Sequence, residues 1–337
     1  MAPALDVRAL QISLFTRVGV LPAVDRVSFT VGAGETLALV GESGCGKSLT
    51  ALALMRLLPD PPARIVGGEV RLDGEDLVRL DERTMQGMRT KRISMIFQDP
   101  AGSLNPVVSV GRQLVEVIEA HTDLGRRAAI DRALELLDLV RIADPRSRFG
   151  EFPHRLSGGM CQRVMIAMAI ACGPRVLIAD EPTTALDVTV QAQVLALLQR
   201  LQGEIGIAML FITHDLGVVA QVAQRVAVMY AGRKVEEATV DALFAAPLHP
   251  YTRGLLAATP KAGEDRAARL TEIPGMVPPL GNLPTGCAFA PRCPVAGQRC
   301  WAERPALTEA APGRLVACFA ADAAPDRIAS DAAVVGS

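Results

Sequence analysis

The chain has 337 residues, half of them hydrophobic and 21% charged, with a formal net charge of −1. That balance supports a packed core, with room for one large α/β unit and a smaller appendage, and excludes a disordered chain. It also argues against nucleic acid or an anionic lipid surface as a bulk partner.

The N-terminal stretch MAPALDVRALQISLF lacks the basic, apolar, small-residue order of a secretory signal. No uninterrupted apolar window is long enough to span a bilayer. The nearest, residues 164–179, is broken by Gly173, Pro174 and Arg175. A soluble chain is expected, one that meets a membrane only through partner proteins.

In chain order, residues 7–14 and 24–31 have the apolar content of short strands, and residues 36–40 form a buried-strand run ending at Gly41. Residues 41–48 then read Gly-Glu-Ser-Gly-Cys-Gly-Lys-Ser, matching G-x-x-x-x-G-K-[ST], and residues 49–58 read as a helix stopped by Pro59. Glycines let successive backbone N–H groups close on phosphate oxygens, and the helix adds its positive end. Gly41, Ser43, Gly44, Cys45, Gly46, Lys47, Ser48 and Leu49 are therefore expected to surround a nucleoside triphosphate such as ATP. Lys47 would reach its β- and γ-phosphates, and Ser48 would ligate Mg²⁺.

Residues 67–72 and 93–97 are further strand candidates. Between 110 and 140 the apolar spacing turns helical, through Val110, Leu114, Val117 and Ile118 and then Ile130, Leu134, Leu137 and Val140. Another helix follows Ser157. Residues 176–179 form a short apolar strand that delivers Asp180 and Glu181 at its C-terminal end, where α/β sheets bind ligands. Asp180 would hold Mg²⁺ through water, and Glu181 would act on the attacking water as general base. A helix is marked by Val190, Val194, Leu197, Leu198 and Leu201, a strand by residues 207–213, and a hairpin by Ala231-Gly232. The alternation predicts a mostly parallel sheet covered by helices. Beyond about residue 245 prolines are frequent and periodicity fades.

Seven cysteines are present: Cys45, Cys161 and Cys172 scattered, and Cys287, Cys293, Cys300 and Cys318 together near the C-terminus. Without an export signal, a metal reading of the four comes before a disulfide reading. Their spacings lack the close pair of a structural zinc site. Four thiolates suit an iron–sulfur cluster, [4Fe–4S], better, with zinc or free thiols as the alternatives.

The segment Leu156-Ser157-Gly158-Gly159-Met160, followed by Cys161-Gln162-Arg163, resembles the signature motif of ABC ATPases, with Met160 where Gln is more usual. Capping of the helix by Ser157 is the plainer role, and both can hold. Other motifs of that family match in order. Gln98 is similar to the glutamine that senses the γ-phosphate and Mg²⁺. Thr184-Ala185-Leu186-Asp187 resembles the D-loop, with Asp187 either a helix cap or a signalling residue. His214, before Asp215, resembles the switch histidine. Phe15 resembles the aromatic that stacks on adenine, although a core role would also suit it. The resemblance implies an α/β fold: a P-loop NTPase core with an N-terminal β-subdomain, a helical subdomain near 99–165, and a small Cys-containing C-terminal domain. It also implies a head-to-tail dimer in which Ser157, Gly158 and Gly159 complete the ATP site of a second subunit. With one P-loop and one signature, the chain is half of an ATPase pair.

QDPAGSLNP at residues 98–106, LHPYTRGLLAATP at 248–260, IPGMVPPL and GCAFAPRCP are similar to the dipeptide, oligopeptide and nickel importer branch. That branch implies residues 1–245 as the ATP-binding domain, 246–325 as its C-terminal extension with the four cysteines, and 326–337 as a frayed tail. The implied partners are a second and different ATPase chain, two membrane permeases and an extracytoplasmic solute-binding protein, with no nucleic acid. The implied place is the cytoplasmic face of the cell membrane. The alternative is a soluble, non-transport ABC ATPase of DNA repair or translation. Such proteins usually carry two ATPase units or a long coiled coil, and neither is present here.

Overall fold

The computed structural model describes residues 2–184, 186–259 and 272–321. The frayed tail expected at 326–337, Ala185 of the D-loop stretch and Pro260 of the branch-specific segment lie outside them. Long strands β1 (Leu5–Thr16) and β2 (Gly19–Val31) pair antiparallel. After β3 (Thr36–Val40) and α1 (Lys47–Leu54), β4 (Ala63–Leu72) and the short β5 (Glu75–Asp76) complete a four-stranded sheet of order β2-β1-β4-β5. Next come α2 (Glu82–Met88), β6 (Ile93–Ile96) and a run of helices: α3 (Pro100–Ser103), α4 (Val110–His121), α5 (Arg126–Leu139), α6 (Pro145–Phe149) and α7 (Gly158–Ile170). Strand β7 (Val176–Asp180), α8 (Val188–Ile205), β8 (Ala208–Thr213), α9 (Leu216–Val222), β9 (Arg225–Tyr230) and β10 (Arg233–Thr239) follow. The chain continues through α10 (Val240–Ala245), α11 (Pro250–Ala257), α12 (Gln298–Ala302), β11 (Thr308–Ala311) and β12 (Arg314–Val316).

The second sheet has the order β11-β12-β10-β9-β3-β8-β7-β6, with β6, β7, β8, β3 and β9 parallel. Every residue of β3, β6, β7 and β8 is buried, as expected of parallel strands covered on both faces. Alternation divides them between two cores. Val176, Ile178, Leu210 and Ile212 pack with the antiparallel sheet and α1. Leu177, Ala179, Met209 and Phe211 pack with α4, α5, α7 and α8 on the other side. This layering brings the C-terminal ends of β3, β6, β7 and β8 to one edge.

Helix α1 stops at Leu54 rather than running to Pro59. Arg56 takes a left-handed conformation (φ 51°), and the N–H of Leu57 donates back to the Leu52 carbonyl at 2.8 Å, closing the helix end. The short α2 escapes the periodicity because only Met85 and Met88 turn inward. The β9–β10 hairpin turns on Ala231 and Gly232 (φ 45° and 79°), the positive-φ pair of a two-residue loop.

The C-terminal segment is less separate than its fading periodicity predicts. Strand β12 pairs antiparallel with β10, Glu236 opposite Val316, so it extends the main sheet. Strands of three and four residues are too short to show an alternation. Tyr230, Tyr251 and Phe289 meet edge to face or tilted, with centroids 4.7–5.4 Å apart, and join this segment to β9. Among the described residues, no helix is long and apolar enough to cross a membrane.

Candidate functional site

The phosphate loop leaves β3 at Gly41, where φ is 154° and an added Cβ would stand 2.3 Å from the Met229 carbonyl oxygen, so only glycine fits. Gly46 caps α1 in a left-handed conformation (φ 100°), and an added Cβ there would meet Ala23 and Val24 at 3.0 Å. The loop therefore delivers Lys47 and Ser48 to the start of the helix. The Lys47 ammonium is buried and donates to the carbonyls of Gly41 (2.7 Å) and Glu42 (3.1 Å). Cys45 is also buried, and burial pushes its thiol pKa up.

Ser48 Oγ donates to Asp180 Oδ1 at 3.1 Å. Burial raises the Asp180 pKa, with the Ser48 hydrogen bond acting against it. A hydroxyl and a carboxylate side by side form a hard-oxygen pair suited to Mg²⁺. One residue on, Glu181 adopts a positive φ of 46°, a strained conformation for a residue with a Cβ. Its carboxylate is where three other side chains meet. Gln98 Nε2, beyond β6, donates to Oε2 at 3.0 Å, and Thr184 Oγ1 donates to the same oxygen at 2.9 Å. His214 Nδ1, just past β8, lies 3.3 Å from Oε1. Three parallel strands thus aim side chains at one carboxylate beside the phosphate loop. The sequence names Thr184 only as the start of the D-loop stretch; its hydrogen bond to Glu181, three residues before it, is a contact that the sequence does not anticipate.

Ser157 caps α7, its hydroxyl accepting from the Met160 N–H at 3.3 Å. It and Gly158 are exposed on the helical side, and an added Cβ on Gly159 would stand 2.6 Å from Val190. Asp187 caps α8 by accepting from the Val190 N–H at 2.9 Å. Phe15 is 42% exposed on β1, with the Arg64 guanidinium 5.4 Å from its ring centre, which removes the core role from consideration. The described side chains of the sequence-predicted set thus fall into a phosphate and carboxylate cluster, an exposed helix cap and an exposed ring.

Cys287, Cys293, Cys300 and Cys318 line one apolar cavity of about 20 Å³. The Cys287 N–H donates to the Cys300 carbonyl at 2.7 Å. Burial raises the thiol pKa of Cys287 and Cys318, and raises that of Cys293 to about 11, with neighbouring cysteines adding to each shift. The sulfur donors face a common space. Even so, among the described residues no group of three or more His, Cys, Asp or Glu side chains stands close enough together to hold a metal ion.

The described pattern of the ABC transporter family matches residues 24–184, and that of the oligopeptide/dipeptide transporter C-terminal region matches residues 235–300. The chain is 54% identical to a probable peptide ABC transporter ATP-binding protein of Sinorhizobium fredii, over 94% of each chain. It is 49% identical to the oligopeptide transport ATP-binding protein AppD of Bacillus subtilis, over 95% of this chain and 97% of that one. Among solved structures it is similar to a dimeric ATP-binding cassette in a post-hydrolysis state with ADP and Pi. That match has a TM-score of 0.63 and 26% identity, and covers 70% of this chain and 98% of that chain.

Proposed function

The chain belongs to the ABC transporter ATP-binding family, and from that premise we propose that it is the subunit whose ATP hydrolysis powers a peptide importer. The observation that carries the reading is the Glu181 carboxylate, gathered by Gln98, Thr184 and His214 beside the phosphate loop. The peptide branch is supported by the match at residues 235–300 and by the names of the bacterial relatives. No observation favours a soluble, non-transport role.

The chemistry follows from positions. The ammonium of Lys47 draws the β- and γ-phosphates into the loop, whose backbone N–H groups line them. Ser48 and Asp180, with Gln98, would hold the Mg²⁺ that arrives with ATP and neutralises its phosphates. Glu181 accepts a proton from the attacking water, and the bond between the γ-phosphorus and the bridging oxygen breaks to leave ADP and phosphate. Gln98 and Thr184 fix one oxygen of that carboxylate, leaving the other beside His214, so its direction is set before substrate arrives. Phe15 offers an exposed ring for adenine. Ser157, Gly158 and Gly159 present a helix N-terminus to the nucleotide of a second ATPase chain, and Asp187 lies at the start of the neighbouring α8. Closure around ATP would carry helices α3–α7 and the permeases resting on them, a population shift driven by tighter ATP binding to the closed pair. In this reading the chain works on the cytoplasmic face of the membrane with a different ATPase chain, two permeases and an extracytoplasmic solute-binding protein.

Uptake of radiolabelled oligopeptide by cells carrying Glu181→Gln in place of the wild-type chain is expected to fall to background. Undiminished peptide uptake, with ATPase activity lost in the purified variant, would sink the peptide reading and leave the ATPase intact.

The four-cysteine cavity is proposed as the seat of a [4Fe–4S] cluster, on the strength of the four cysteines among its otherwise mostly apolar lining residues. Anaerobically purified protein is expected to hold about four irons and four sulfides per chain, with absorbance near 400 nm that Cys293→Ser removes. One zinc per chain, or no metal, would overturn this.

A further inference from the structure

The phosphate loop is tied to the C-terminal segment by a partly buried charge pair. Glu42 is the second residue of the loop. Both of its carboxylate oxygens accept from Arg292, at 2.6 and 2.9 Å, across 250 residues of sequence. The Arg292 side chain is 4% exposed. Its remaining donors reach the carbonyls of Pro274 (2.9 Å) and Ile273 (3.3 Å) and the Tyr230 hydroxyl (3.5 Å), and its guanidinium lies about 6 Å from the rings of Tyr230 and Phe289. Beside this fork, the Glu42 N–H donates to the Tyr251 hydroxyl at 2.8 Å. The backbone and the side chain of Glu42 are thus both held from beyond residue 245.

Two physical needs meet at this point. Gly41, Gly44 and Gly46 all hold positive φ, so the loop has little stiffness of its own and its shape depends on anchors. A free carboxylate on this loop would also set a negative charge beside a polyanionic triphosphate. A planar, permanently charged fork fixes and neutralises Glu42 in a way that a single ammonium does not.

We propose that Arg292 is a positioning residue for nucleotide: the cysteine-bearing C-terminal segment completes the phosphate loop by holding and neutralising Glu42. The short turn at Ala290–Arg292 that carries it is bracketed by Cys287 and Cys293, through the Ala290 N–H to the Cys287 carbonyl and the Cys293 N–H to the Ala290 carbonyl. The cysteine cavity and the phosphate loop are therefore mechanically joined. This inference rests on the ATP-binding reading of the loop.

The test is a titration of the full-length chain with MgATP, with a melting curve for each variant. Arg292→Gln is expected to weaken binding about tenfold, the loss of a charge-assisted hydrogen-bond pair. Adding Glu42→Gln is expected to bring affinity back to within about threefold of wild type, because the uncompensated carboxylate is then gone. A merely structural Arg292 would show no such rescue. If Arg292→Gln fails to fold, Arg292→Lys keeps the charge but not the fork and is expected to bind about threefold more weakly. Wild-type affinity in a folded Arg292→Gln or Arg292→Lys variant, or a double variant no better than Arg292→Gln alone, overturns the proposal. A wild-type chain that does not bind MgATP refutes instead the reading on which it rests.

Discussion

Glu181→Gln is expected to lower steady-state ATP turnover about 100-fold or more while leaving ATP binding intact, the usual scale for removing a general base. The substitution suits the site. A glutamine keeps the side-chain volume, and its carbonyl oxygen still accepts from Gln98 and Thr184, which share one carboxylate oxygen of Glu181. The other position becomes an NH₂ group facing His214, able to donate but not to accept a proton. Geometry is kept and basicity is removed, so the loss appears in the rate constant rather than in affinity. Turnover within tenfold of wild type, measured by phosphate release at saturating MgATP, would show that another group activates the water.

Lys47→Ala acts one step earlier. It removes the ammonium that the loop holds 2.7 Å from the Gly41 carbonyl, and with it the positive charge due to meet the triphosphate. ATP affinity is expected to fall about 10- to 100-fold, the range for a charge-assisted contact to phosphate. The two variants separate binding from chemistry: titration with MgATP should detect the loss in Lys47→Ala and barely register Glu181→Gln. Unchanged affinity in a folded Lys47→Ala chain would place the triphosphate elsewhere.

What could be read from the sequence, and what could not, follows from the range of each interaction. The phosphate loop and the acidic strand end are local: glycine positions, an apolar run and a helix start lie within a few residues of one another. Their relative placement was also accessible, because parallel strands put Gly41, Gln98, Glu181 and His214 at the same sheet edge. The Glu42–Arg292 fork was not, since neither residue carries a local pattern that names the other. The four cysteines were visible as a group, yet only the fold shows that they face one cavity. Strand β12 was missed because three residues show no periodicity, and its role is set by the free edge of β10. The early end of α1 was hidden for a similar reason: a left-handed Arg56 is a property of the packed chain, whereas Pro59 is a visible stop signal.

The central claim, that this chain is one of two ATPase subunits driving a membrane importer, is most directly tested by affinity capture. The Glu181→Gln chain would be captured from detergent-solubilised native membranes in the presence of MgATP, and the recovered proteins identified by mass spectrometry. A second ATPase chain and two integral membrane subunits, retained with ATP, are the expected result. Recovery of the chain alone, from membranes in which it is expressed at its natural level, would contradict it.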